Sequence, residues 1–112
     1  MAGIVKSIAG PAYIAASATN IFTPLASGSY TTLRHLHFCN TTAVAATFTL
    51  YIGATGGSSG GTELFKTYSL AGNAVYDYYC NRKMVSTDFL TGICETGASK
   101  ITIDVEGEQG YL

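Results

Sequence analysis

From Ala46 to Ile52 the chain alternates without a break: Ala46, Phe48, Leu50 and Ile52 are apolar, with Thr47, Thr49 and Tyr51 between them. A period of two marks an extended strand with one face turned to a core, because successive side chains point to opposite sides. A helix would scatter the same residues around its axis. Ile101, Ile103 and Val105 repeat the pattern against Thr102, Asp104 and Glu106. In segment 31–40, Leu36 and Phe38 share one face, and Leu33, His35, His37 and Cys39 the other. Three strands are predicted here.

Further strands are expected over 4–8, 12–16, 20–23, 64–70, 74–80, 83–86 and 89–95, where β-branched and aromatic residues dominate. Turn signals separate them: Gly10-Pro11, the stretch 24–28, Asn40-Thr41-Thr42, Ala71-Gly72-Asn73, Thr96-Gly97 and Gly107. Punctuation about every eight to twelve residues points to an antiparallel sandwich or barrel. No segment carries a sustained helical period behind a cap. The expected fold is an all-β, antiparallel β-sandwich, jelly-roll-like, of about eight strands. A length of 112 residues suits one domain, with residues 1–9 as an N-terminal anchor strand or arm. The glycine- and serine-rich run 53–62 reads as a long hairpin loop; without a terminal Lys-Ser or Lys-Thr and a following helix, it does not read as a phosphate cradle.

Composition then removes whole classes of function. Only 12% of residues are charged, about half the usual share of about 25%. With 47% hydrophobic residues, disorder is excluded. The formal charge is −1 and the only paired cations are Arg82-Lys83, read as a solvated turn; nucleic-acid binders carry a basic stripe, so no nucleic-acid partner is expected. No run reaches the length of a membrane span, so no membrane partner is expected either. The apolar stretch 8–18 ends in small residues like a signal peptide, but Gly10-Pro11 interrupts it and only Lys6 precedes it; it reads as mature sequence. Three cysteines, 39, 80 and 94, without a CxxC spacing suggest free thiols in a protein made in the cytosol.

His35, His37 and Cys39 point the same way from one strand, about 7 Å apart in succession, which is a partial metal-ligand set. Closing it would need Cys80, Cys94 or an acid from another strand. The expectation is therefore no metal and no cofactor, with the His35–His37 pair serving a subunit contact such as one around a threefold axis. Cys39 beside His37 lacks an oxyanion hole and a third orienting group. The serines lack a nucleophile elbow. Asp104 and Glu106 read as solvated acids rather than a catalytic pair. No catalytic residue is assigned, and no enzyme activity is expected.

Eight tyrosines and no tryptophan occur in the chain. The run Tyr76-Asp77-Tyr78-Tyr79 puts large rings on both faces of one strand, one face packing the core and the other, with Tyr51, facing outward. Exposed tyrosine with little charge suits protein contact, and also sugar contact. The candidate interface residues are Ile4, Val5, Ile8, His35, His37, Tyr51, Tyr76, Tyr78 and Tyr79.

The segments Ile21-Phe22-Thr23-Pro24, Gly28, and Leu33-Arg34-His35-Leu36-His37-Phe38-Cys39-Asn40-Thr41-Thr42 resemble a recurrent pattern in small virion proteins of tailed bacteriophages. There a short strand ends in a Pro–Gly turn, and a strand of the form aliphatic-Arg-x-aliphatic-His-x-x-Asn precedes a Thr-rich strand, here Phe48 to Gly53. The similarity continues through Asp88-Phe89-Leu90-Thr91-Gly92 and Ile101 to Gly107, and covers about residues 20 to 107. Here Leu25-Ala26-Ser27 lengthen the Pro–Gly turn. The resemblance implies a β-sandwich, often trimeric, that decorates or cements the head or sits in the tail. It thus implies a capsid decoration protein on the outer surface of the virion, with the major capsid protein and its own copies, as a homotrimer, for partners. A tail or fibre component contacting host glycans through Tyr76, Tyr78 and the glycine-rich loop is the alternative.

Overall fold

The alternating segments become β1 (Ile4–Tyr13), β2 (Thr19–Phe22), β3 (Ser29–Asn40), β4 (Ala46–Gly53), β5 (Glu63–Leu70), β6 (Val75–Val85), β7 (Phe89–Cys94) and β8 (Ile101–Tyr111). The computed structural model describes residues 4–24, 29–53 and 63–111, except the side chains of residues 4–7 and of Tyr111. Strands β1-β8-β3-β6 form one four-stranded antiparallel sheet and β2-β7-β4-β5 the other. The pairs β1·β8, β2·β7, β3·β6 and β4·β5 are successive stretches of one two-stranded ribbon that doubles back between β4 and β5. Winding that ribbon brings β3 against β8 and β4 against β7. The result is a jelly roll, as the turn spacing and alternation predict.

The alternating rows meet between the sheets. Leu33, Leu36 and Phe38 of β3, Met84 of β6, and Ile101, Ile103 and Val105 of β8 face Phe48, Leu50 and Ile52 of β4, Leu90 and Cys94 of β7, and Leu70 of β5. Each such side chain taken out of water contributes about 1.5–3 kcal/mol. Phe38 and Phe48 stack across the gap at 4.5 Å between ring centroids.

The structure departs from the sequence reading at several places. Between Leu33 and His35, β3 advances two residues while β8 advances one, from Gly107 to Glu106. This bulge reverses the parity of the strand. Leu33 therefore points inward with Leu36 and Phe38, fully buried, and not outward with the histidines. The expected strands 74–80 and 83–86 are one strand, β6, so Arg82 and Lys83 lie within an edge strand and not in a turn. Charged residues on such an edge discourage further pairing, and the Lys83 ammonium sits 5.3 Å from the centre of the Tyr30 ring.

Gly107 and Gly10-Pro11 are not turns either. Gly107 lies inside β8, where a Cβ would fall 2.4 Å from the Thr32 carbonyl oxygen. Gly10 lies inside β1, which continues through a cis Gly10-Pro11 bond with shifts of register against β8. The φ of Gly10 is +85°, and a Cβ there would meet the Ile103 carbonyl oxygen at 2.3 Å. Gly10→Ala combines a left-handed backbone with a backbone collision, so a loss of about 2–3 kcal/mol is expected. Chemical denaturation of the variant measures it; a midpoint equal to wild type would contradict this geometry. The hairpin loop expected over 53–62 falls, from residue 54 on, outside the described residues.

Candidate functional site

The bulge that buries Leu33 also sets the outer face of the first sheet. Beyond it His35 and His37 turn away from the core, and the registers of β6 and β8 place their neighbours. Tyr79, His35 and Glu106 lie abreast in one row across three strands; Asp77, His37 and Asp104 form the next. Residues directly opposite in a sheet share a face and are close enough to interact.

The contacts follow these rows. His35 Nδ1 lies 2.8 Å from Glu106 Oε1, and His35 Nε2 lies 2.8 Å from Asp77 Oδ1. His37 Nδ1 lies 2.6 Å from the same Asp77 oxygen. Tyr79 stacks on the His35 ring, with centroids 4.5 Å apart and planes 7° from parallel. Arg34 reaches Glu108 at 3.5 Å, an exposed pair of little energetic weight. The Glu106 carboxylate beside His35 is the main cause that raises the imidazole above its ordinary value; burial opposes it and Asp77 adds to it. Hydrogen bonding to His37, and then to His35, holds the Asp77 carboxyl below the usual range. Asp104 stands opposite His37, and its Oδ1 is buried without a hydrogen-bond partner.

Two imidazoles and two carboxylates are therefore gathered on a solvent-facing sheet, stapling edge strand β6 to β3 and β8. Glu106 stays half exposed, as its reading as a solvated acid expects, while also pairing with His35; Asp104, read the same way, instead has a buried carboxylate oxygen. Asp77 carries no mark of this role in the sequence, because its partnership with the histidines depends on the β3·β6 register. The only local signal was its position two residues before Tyr79, on the same strand face.

The other candidate residues are dispersed. Tyr76 and Tyr78 turn inward and pack with Phe65, whose centroid lies 6.0 Å and 4.8 Å from theirs. Burial raises the Tyr76 phenol. Tyr79 projects outward, 73% exposed. Tyr51 is half-buried on β4, in the opposite sheet. Ile8 is partly buried against the core. Ile4 and Val5 pair with Gln109 and Glu108 through the backbone, and their side chains lie outside the described residues. Thus residues 4–9 belong to an edge strand of the sheet. Cys39, Cys80 and Cys94 are free thiols; Cys80, raised chiefly by burial, donates to the Leu33 carbonyl oxygen at 3.4 Å.

The face belongs to an eight-stranded antiparallel sandwich, and such folds host many functions. No protein-family model and no curated protein matches the chain. Among solved structures it is similar to a chain of Bacillus endospore appendages, described as forming a novel family of disulfide-linked pili. The TM-score is 0.55 at 15% identity, over 100% of this chain and 91% of that one. It is also similar to a chain of the infectious bursal disease virus Gx strain, with TM-score 0.44 and 11% identity over 96% of this chain and 30% of that one. A pentameric capsid protein from metagenomic phage sequences overlaps with TM-score 0.33 and 16% identity, over 94% and 61% of the respective chains. The appendage likeness is one of fold, at an identity that carries no function across. Among the described residues, no helix is long and apolar enough to cross a membrane.

Proposed function

We propose that the chain is a structural protein of a bacteriophage particle, a capsid decoration (cement) protein that binds the outer shell as a homotrimer and bridges neighbouring copies of the major capsid protein. The observation that carries this reading is the wound eight-strand sandwich, which is the architecture implied by the resemblance over residues 20 to 107. An adhesive role needs no reaction and no catalytic residue. It needs contact surface, and Val44, Val75 and Tyr79 are 73%, 58% and 73% exposed in a chain with 12% charged residues. Val44 and Val75 share one end of the sandwich, where Asn73 N–H donates to the Thr42 carbonyl oxygen at 2.8 Å. Each contact is small, and repetition over a shell multiplies it.

The glycan-contact alternative has less support, since the Tyr76 and Tyr78 rings it requires are packed inward. Deleting residues 1–9 would remove most of a strand paired to β8, and so would test folding as much as anchoring. Val44→Asp and Val75→Asp are cleaner. Combined, they are expected to reduce sedimentation with purified heads by about tenfold or more, the equivalent of about 1.4 kcal/mol, with an unchanged thermal midpoint. Wild-type occupancy by the double variant, or immunogold label on tails instead of heads, would overturn the proposal.

A further inference from the structure

The geometry points to a binding site for a divalent first-row transition-metal ion such as Zn2+, formed by His35, His37 and Asp77, with Glu106 orienting His35 from behind. The proposal does not depend on the virion reading. Two imidazole nitrogens and one carboxylate oxygen are a donor set that Zn2+ and its neighbours accept, with remaining positions left to water. One donor atom from each of the three residues lies within 4.8 Å of the other two. Bonds of about 2.0–2.2 Å place ligand atoms about 3–4 Å apart around one ion. The 2.6 and 2.8 Å contacts to Asp77 Oδ1 therefore need open only by roughly an ångström, within reach of side-chain rotation on fixed strands.

The support behind the ligands is already in place. A metal-bound histidine ordinarily gives its second N–H to a carboxylate, which fixes the ring and its tautomer. His35 has that arrangement: Nε2 faces Asp77, and Nδ1 faces Glu106 at 2.8 Å. Stacking by Tyr79 holds the ring plane. Asp77, Glu106 and Asp104 surround two histidines, and the nearby Arg34 is engaged by Glu108. A doubly charged cation would offset that excess of carboxylate. The side chains of His35, His37 and Asp77 are 21%, 38% and 39% exposed, so an ion reaches them directly from solvent. Cys39, which the sequence placed beside the histidines, is not part of the cluster.

Isothermal titration of the chelator-treated full chain with Zn2+ is expected to show one ion per chain. At an excess about tenfold above Kd the thermal midpoint should rise by about 5–10 °C and fall back with chelator. Asp77→Asn and His37→Ala should each weaken binding by about tenfold or more, and Glu106→Gln by about 10–100-fold, while Cys39→Ser leaves it unchanged. Circular dichroism of each variant checks that the strands are kept. No uptake by the wild type at millimolar Zn2+ would overturn the proposal. So would uptake that Asp77→Asn leaves intact or Cys39→Ser abolishes.

Discussion

Truncating Phe38 to alanine is expected to lower the stability of the fold by about 3–5 kcal/mol. The side chain is fully buried near the C-terminal end of β3, an inner strand that pairs with both β6 and β8. Its ring stacks on Phe48 of the other sheet at 4.5 Å, meets Phe65 edge-on at 5.8 Å, and lies 6.2 Å from Tyr76. Removing it opens a cavity that neighbours anchored on three other strands cannot collapse into, so the cavity penalty adds to the lost transfer free energy. Against a total of about 5–15 kcal/mol for an ordinary domain, this is a large share. Urea denaturation should show a lower midpoint with little change in slope, because the surface exposed on unfolding is nearly the same. Val44→Ala, at a solvent-facing position, should change the unfolding free energy by no more than about 0.5 kcal/mol. A loss below about 1 kcal/mol for Phe38→Ala would mean that the two sheets do not share this aromatic cluster.

The strands that carry this packing were readable in advance because alternation is a local property. Ala46 to Ile52 and Ile101 to Val105 bury the residues their period assigns. Leu33 leaves the face its period assigns, and nothing in Leu33-Arg34-His35 announces the bulge; the extra residue exists only relative to Glu106 and Gly107 of β8. Glycine misled for a related reason. Gly10 and Gly107 look like turn residues, yet what demands glycine there is a carbonyl oxygen of another strand, Ile103 or Thr32. The candidate site divides in the same way. The histidine pair is visible from its i, i+2 spacing, whereas Asp77 and Glu106 join it only through two registers of pairing. The tyrosine run showed that rings occupy both faces of β6, and the packing of Phe65 and Tyr68 decides which face is inside. Local chemistry was legible; partnerships set by long-range pairing were not.

Asn40→Asp should be nearly as damaging as loss of Phe38, by an opposite mechanism, since the replacement has the same shape and differs only in polarity. Asn40 is 1% exposed at the end of β3. Its Nδ2 donates to the Val44 and Leu70 carbonyl oxygens at 2.9 and 3.0 Å, and its Oδ1 accepts from Thr42 N–H at 3.0 Å and Thr42 Oγ1 at 2.8 Å. All four hydrogen-bonding positions of the amide are thus used. They tie one sheet, through β3, to the end of β5 in the other and to the loop between β3 and β4. A carboxylate would keep the bonds to Thr42 but turn an acceptor, with a buried charge, toward two carbonyl oxygens. A loss of about 3–5 kcal/mol is expected at neutral pH. Burial and these carbonyls disfavour the ionised form, so the new carboxyl would titrate higher in the folded chain than its unfolded value of about 3.9. The penalty is then smallest below that unfolded value, where the protonated group can donate to one carbonyl, and grows as pH rises through it. Denaturation of wild type and variant at acid and neutral pH measures the difference. A pH-independent gap, or one under about 1 kcal/mol at neutral pH, would show that the amide is not the tie between the sheets.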